Sequence, residues 1–156
     1  MSAVIDSHHD DHHHGPAKGF SRWLYTTNHK DIGSMYLWFS LIMLFVGGAM
    51  AMVIRAELFE PGSQIVSPEF YNQMVTNHGL IMVFGVIMPA FVGFANWMIP
   101  MQIGAPDMAL PRLNNLSFWI LPVAFGILLS TFFMEGGAPN FGWTFYAPLS
   151  TEYAPP

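Results

Sequence analysis

Cysteine is absent from the 156 residues. That excludes disulfides and thiolate metal sites, so any metal or cofactor must be held by histidine, carboxylate, carbonyl or methionine. Charge is scarce too: 10% of residues are charged, where a soluble domain carries about a quarter. The formal net charge is −5 and no basic stripe runs along a face, which makes nucleic acid a poor partner. The N-terminal stretch lacks the apolar segment of a secretory signal. What is abundant is apolar: 53% of residues are hydrophobic and 15% aromatic, and the few charges are clustered. Long uncharged stretches between clusters mark a chain that uses lipid as solvent.

Residues 1–19 are polar, with His8, His9, His12, His13 and His14 interleaved with Asp10 and Asp11. Irregular spacing gives no defined ligand geometry, and the segment reads as a disordered cytoplasmic tail. Phe20 to Gly33 is amphipathic, with Trp23 and Tyr25 suited to a membrane interface. Ser34 to Ile54 then runs without a charge for about 31 Å of helix, the thickness of a hydrocarbon core. A polar loop is expected from Glu57 to Asn77, and a second span over 79–98 with Pro89 expected to kink it by freeing the Gly85 carbonyl. A Pro/Gly-rich turn over 101–115 leads to a third span over 116–134, and a Gly/Pro/aromatic loop follows. No span shows a wide polar face, which excludes a soluble helical bundle. Lys18, Arg22 and Lys30 precede the first span, while the next loop has Arg55 against three acids. Positive-inside counting puts the N-terminus and the Asp107 turn in the cytoplasm, and the Glu57 loop and the segment after Glu135 outside.

Few residues in these spans carry chemistry. His78 opens the second span, and an imidazole on a membrane helix is an ordinary haem ligand as well as an ordinary interfacial residue. Arg55 closes the first span at what the sequence implies is the same depth, where it either snorkels or holds a polar group. Asn96 lies about five helical turns after His78, on the same face at the opposite end. Tyr36 opens the first span, and Asn114 and Ser117 share a face at spacing i, i+3. Asn114 also reads as a helix cap, and Asp107 after Pro106 as a turn former. Together they put a carboxylate at the mouth of a group of amides and hydroxyls. Glu57, Glu60 and Gln64 around Pro61-Gly62 form an oxygen-rich loop suited to a hydrated surface or to a cation. Gly47, Gly48 and Ala51 form a small-residue stripe for close helix approach.

Five strings carry a resemblance: TTNHKDIG (Thr26–Gly33), IRAEL (Ile54–Leu58), NHGLIMVF (Asn77–Phe84), GAPDMALPRLNNLSFW (Gly104–Trp119) and GWTFYAPLS (Gly142–Ser150). In this order and at these spacings, residues 20–152 resemble the N-terminal part of subunit I of the haem–copper oxidase superfamily, in its bacterial cytochrome c oxidase branch. The resemblance implies an all-α polytopic transmembrane bundle of about twelve spans, of which three are present here. It implies that His78 is an axial ligand of low-spin haem a and that Arg55 contacts its formyl group. Asp107 becomes the entrance of the D proton pathway, with Asn96, Asn114, Tyr36, Ser117 and Asn28 near it. Glu57 and Gly62 match an outer calcium or sodium site. Glu60 departs from some relatives in that loop, and Ala147 stands where proline is usual.

The implied enzyme takes electrons from cytochrome c, reduces dioxygen to water and pumps protons across a bacterial inner membrane, alongside subunits II and III. The high-spin haem, the copper and their ligands belong to later spans, so this segment alone is expected to be inactive. A quinol oxidase of the same superfamily is the nearest alternative, and a truncated, non-catalytic three-span membrane protein is another. The start at TTNHKDIG without a preceding span favours the cytochrome c type.

Overall fold

The computed structural model describes residues 19–62 and 65–152. The histidine-rich tail and Gln64 lie outside the described residues. Helix α1 is short, Phe20–Tyr25, and is separated by an extended Thr26 from α2, His29–Glu57. The break is set locally: Asn28 is the N-cap of α2, accepting a hydrogen bond from the Lys30 N–H at 2.8 Å. Asp31 in the first turn complements the positive helix end and accepts from Arg22 at 2.8 Å, which ties α1 to α2. That hydrogen bond and the charge of Asp31 raise the Arg22 pKa above its ordinary value.

The second long helix differs from its expected form. It begins with α3 at Pro68, not near Gly79, and runs to Leu80. A capping signal explains the early start: the Ser67 hydroxyl accepts from the Phe70 N–H at 3.3 Å, Pro68 opens the helix and Glu69 lies in the first turn. The expected polar loop is therefore shorter than Glu57–Asn77. Residues Ile81–Ile87 continue as π-helix, ending directly before Pro89, and α4 follows as Met88–Ile103. The Met88 N–H bonds to the Val83 carbonyl, five residues back. The proline is thus met by a widened turn inside a continuous helix. Gly104 ends α4 in the left-handed conformation (φ 69°), its N–H bonded to the Pro100 carbonyl.

Helix α5 is Pro111–Ser130, closed by a 3₁₀ turn over Thr131–Phe133. It starts five residues before the expected position, so Asn114 is inside the helix rather than at its cap; Leu110 occupies that place without a side-chain bond. Three helical stretches, His29–Glu57, Pro68–Ile103 and Pro111–Phe133, are long and apolar enough to cross a membrane. Among the described residues there is no strand, so the architecture is all-α.

Helix α2 is the centre of the bundle. Its Ile32, Met35, Tyr36, Phe39, Met43 and Met50 recur at helical spacing and are buried with Met74, Ile81, Phe118 and Phe125. The second helix runs antiparallel to it: a Cβ on Gly33 would lie 2.9 Å from the Gly93 carbonyl oxygen, and one on Gly47 would meet Met82 and Ile81. Helix α5 runs parallel to α2, with Tyr36 edge-on to Phe118 at 5.2 Å and Phe39 edge-on to Phe125 at 5.6 Å. Of the two glycines in the small-residue stripe, Gly47 is in close contact, while a Cβ on Gly48 would meet nothing within 4 Å. The tighter approach, Gly33 against Gly93, was not marked by the stripe.

Candidate functional site

Polar side chains gather at two levels of the bundle. At the first, His78 donates its Nδ1–H to the Gly47 carbonyl at 2.9 Å. A carbonyl can only accept, so Nδ1 carries a proton, and Nε2 has no hydrogen-bond partner among the described residues. The small size of Gly47 lets the second helix come close enough for this bond. Neighbouring Asn77 and Thr76 are buried, at 0% and 1% exposure, and hold the loop after α5 in place. Thr76 Oγ1 accepts from the Gly142 N–H at 3.0 Å, and Asn77 Nδ2 donates to the Pro139 carbonyl at 3.4 Å.

His78 is not at the depth the sequence implied. It is the eleventh residue of α3 and sits beside Gly47, whereas Arg55 is eight residues further along α2. That separation is about 12 Å of helix rise. Arg55 is exposed and makes no hydrogen bond or ion pair with a described residue. Further out, Glu57 is buried and its Oε2 accepts from the Ile65 and Val66 N–H groups at 2.9 and 3.0 Å. Glu57, Glu60 and Gly62 line one crevice of about 470 Å³ with Tyr71 and Asn72. Among the described residues no three His, Asp or Glu side chains converge as metal ligands.

The second level lies at the opposite end of the bundle. Tyr36 and Ser117 hydroxyls meet at 2.9 Å, and Ser117 donates to the Asn114 carbonyl at 2.7 Å. Asn114 Nδ2 donates to Asn96 Oδ1 at 2.6 Å, and Asn96 Nδ2 donates to the Val92 carbonyl at 2.9 Å. The Asn96 carbonyl accepts from His29 Nδ1 at 2.9 Å. Four of the six residues expected here, Tyr36, Ser117, Asn114 and Asn96, thus form one hydrogen-bonded chain across all three long helices. Asn28 and Asp107 are not bonded into it: Asn28 caps α2, and Asp107 Oδ1 accepts from the Met108 N–H at 2.7 Å in the turn between α4 and α5. His29 was missed, because nothing in its local sequence reveals a partner 67 positions away. The Tyr36–Ser117 pair opens on an apolar groove of about 450 Å³ that includes Met88, Pro89 and Phe125. Asn96 and His78 both bond to α2, but the π segment between them breaks the regular turn count from which their shared face was inferred.

The family model for cytochrome c and quinol oxidase polypeptide I matches residues 31–156. Cytochrome c oxidase subunit 1 of Corynebacterium diphtheriae is 48% identical over 144 residues, covering 91% of this chain and 26% of the relative. A probable cytochrome c oxidase subunit 1-alpha of Streptomyces coelicolor is 48% identical over 135 residues, 86% of this chain and 23% of the relative. A haem–copper oxidase subunit I+III of Aeropyrum pernix is 46% identical over 135 residues, 86% of this chain and 17% of the relative. The chain spans about a quarter, or less, of the length of the curated relatives it matches. With the family's model matched over four fifths of its length, and three helices able to cross a membrane, the chain belongs to the cytochrome c and quinol oxidase subunit I family.

Proposed function

We propose that this chain is the N-terminal part of the catalytic subunit of a terminal respiratory oxidase, which oxidises cytochrome c, reduces dioxygen to water and pumps protons. It works in a bacterial inner membrane with its N-terminus in the cytoplasm, assembled with subunits II and III. In that enzyme His78 would hold low-spin haem a through a ring nitrogen, and Asp107 would be the point of proton entry. The observation that carries the reading is the His78 Nδ1–H bond to the Gly47 carbonyl. Metal-binding imidazoles characteristically donate their other nitrogen to a carbonyl or carboxylate, which fixes tautomer and ring orientation and raises basicity. The residues present therefore fit a haem ligand: an imidazole oriented through Nδ1, with Nε2 unpartnered among the described residues.

When bound, the haem supplies one-electron redox chemistry. The protein's part is to hold and tune it. Gly47 takes the Nδ1–H bond of the imidazole, and Arg55, which has no ion pair among the described residues, would offer a planar donor to a peripheral haem oxygen. Asp107 collects protons at an aqueous mouth, and the Asn96–Asn114–Ser117–Tyr36 chain orients water for their passage. Calcium or sodium would be held at the outer crevice of Glu57 and Gly62, where Glu57 would supply a carboxylate oxygen. High-spin haem and copper are held by residues of later spans.

The test is optical. In the full-length enzyme, His78→Leu removes the low-spin haem, while Arg55→Leu leaves the haem bound and shifts its band. A full complement of spectrally normal low-spin haem in His78→Leu would refute the assignment.

A further inference from the structure

At the end of the bundle where α2 and α5 both begin, α1 packs against α5. Nearby is a crevice of about 430 Å³ lined by Tyr25, Thr26, Thr27, Arg112 and Asn115. Its lining is rich in donors and contains no carboxylate. Asn115 Nδ2 has less than 1 Å² exposed and no hydrogen-bond partner, although buried amides are nearly always paired. Arg112 and Thr27 make no side-chain hydrogen bond or ion pair with a described residue. Among the described residues, the two other cations at this end are engaged: Arg22 pairs with Asp31, and Lys30 lies over the Trp97 ring at 5.5 Å. Arg112 is also the second residue of a 20-residue helix whose cap, Leu110, offers no side-chain acceptor, so the positive end of that helix is uncapped.

A charged guanidinium, a buried amide donor, a free hydroxyl and a positive helix end together call for an anion with several acceptor oxygens. A phosphate group has that form, and arginine meets it with two parallel N–H bonds. The location decides what carries the phosphate. The crevice adjoins α1, which precedes the first span and exposes Trp23 and Tyr25, aromatic residues of the kind that mark headgroup depth. At headgroup depth a phospholipid offers its phosphate at high local concentration, whereas a free phosphate must be captured from dilute solution.

We propose that the crevice of Tyr25, Thr26, Thr27, Arg112 and Asn115 binds the phosphate diester of one phospholipid headgroup. This rests on the reading of the long helices as membrane spans. Arg112 provides the charge, and Asn115 and Thr27 provide neutral donors. Thr26 is committed elsewhere, donating to Asp31 and accepting from the Asn28 N–H. It therefore shapes the wall rather than holding the ligand.

The experiment uses the complete oxidase complex, delipidated in mild detergent, with bound lipid counted by native mass spectrometry. The probes are phosphatidylglycerol, a diacyl glycolipid without phosphate, and inorganic phosphate. The wild-type complex should retain one more phosphatidylglycerol than Arg112→Gln, with apparent affinity at that site lowered about tenfold in the variant. Asn115→Leu should weaken binding in the same direction, and Arg112→Lys should recover part of it. The glycolipid should not occupy the site, and millimolar inorganic phosphate should not displace the lipid. Equal phosphatidylglycerol counts in wild type and in both the Arg112→Gln and Asn115→Leu variants would overturn the proposal. So would occupation by the glycolipid, or by inorganic phosphate in place of lipid. The haem absorption spectrum, read on the same samples, reports separately on whether the oxidase reading stands.

Discussion

His78 has one ring nitrogen bonded and one free, and a single carbonyl makes the difference. Gly47→Leu puts a side chain where Met82 and Ile81 already lie, so it should push the helices apart and loosen the His78 bond without touching His78 itself. In the full-length enzyme the expected outcome is low-spin haem with a broadened, shifted absorption band or partial haem loss; an unaltered band would show that the carbonyl does not tune the ligand. At the other end, Asp107 is outside the hydrogen-bonded amide chain, with one oxygen turned to its own turn. If it nevertheless gathers protons, Asp107→Asn should lower turnover by about tenfold or more and abolish pumping, with the haem spectrum intact. Asn114→Leu breaks the 2.6 Å bond to Asn96 and leaves the Asn96 oxygen without that donor, so it should also slow proton uptake. Stopped-flow proton uptake in reconstituted vesicles distinguishes the two. Pumping that persists in Asp107→Asn would leave that residue as a turn former.

Among the elements, the closest approach is that of α2 and α4 at Gly33 and Gly93, each facing the other's carbonyl. The atom nearest a Cβ on Gly33 is the Gly93 carbonyl oxygen, which is backbone and cannot swing aside. Gly33→Val should therefore cost about 1–3 kcal/mol by overpacking and lower the thermal midpoint of the assembled subunit, while Gly33→Ser, with less bulk, should cost less. An unchanged midpoint for the valine variant would mean the crossing yields freely. The three apolar runs were legible because a lipid-facing helix needs no pattern beyond length and lack of charge. The lead-in of the second helix, Pro68–Asn77, was not, because its residues are polar enough to read as loop. Only Ser67-Pro68-Glu69 betrays it, a capping signal outweighed by composition. The π segment was legible only as a disturbance: Pro89 announces a lost bond, but whether the chain kinks or widens depends on what packs against Ile81 and Gly85.

At the scale of the whole molecule, the order and direction of the helices predict labelling. Cysteines at Glu60 and Ala109, both exposed and in loops separated by one span, should react from opposite faces of the membrane. Reaction of both from one face would refute the topology. The site residues were named by motif, yet their joining was invisible in the chain: Tyr36 and Ser117 are 81 positions apart, and His78 and Gly47 are 31 apart. Proximity of that kind comes from packing, which no local pattern records. The His78–Gly47 bond also has a bearing on biogenesis. Both partners belong to consecutive membrane-spanning helices, α2 and the one that opens with α3. The Nδ1 bond to the Gly47 carbonyl therefore needs only this pair of helices, and it can form as soon as both have been synthesised.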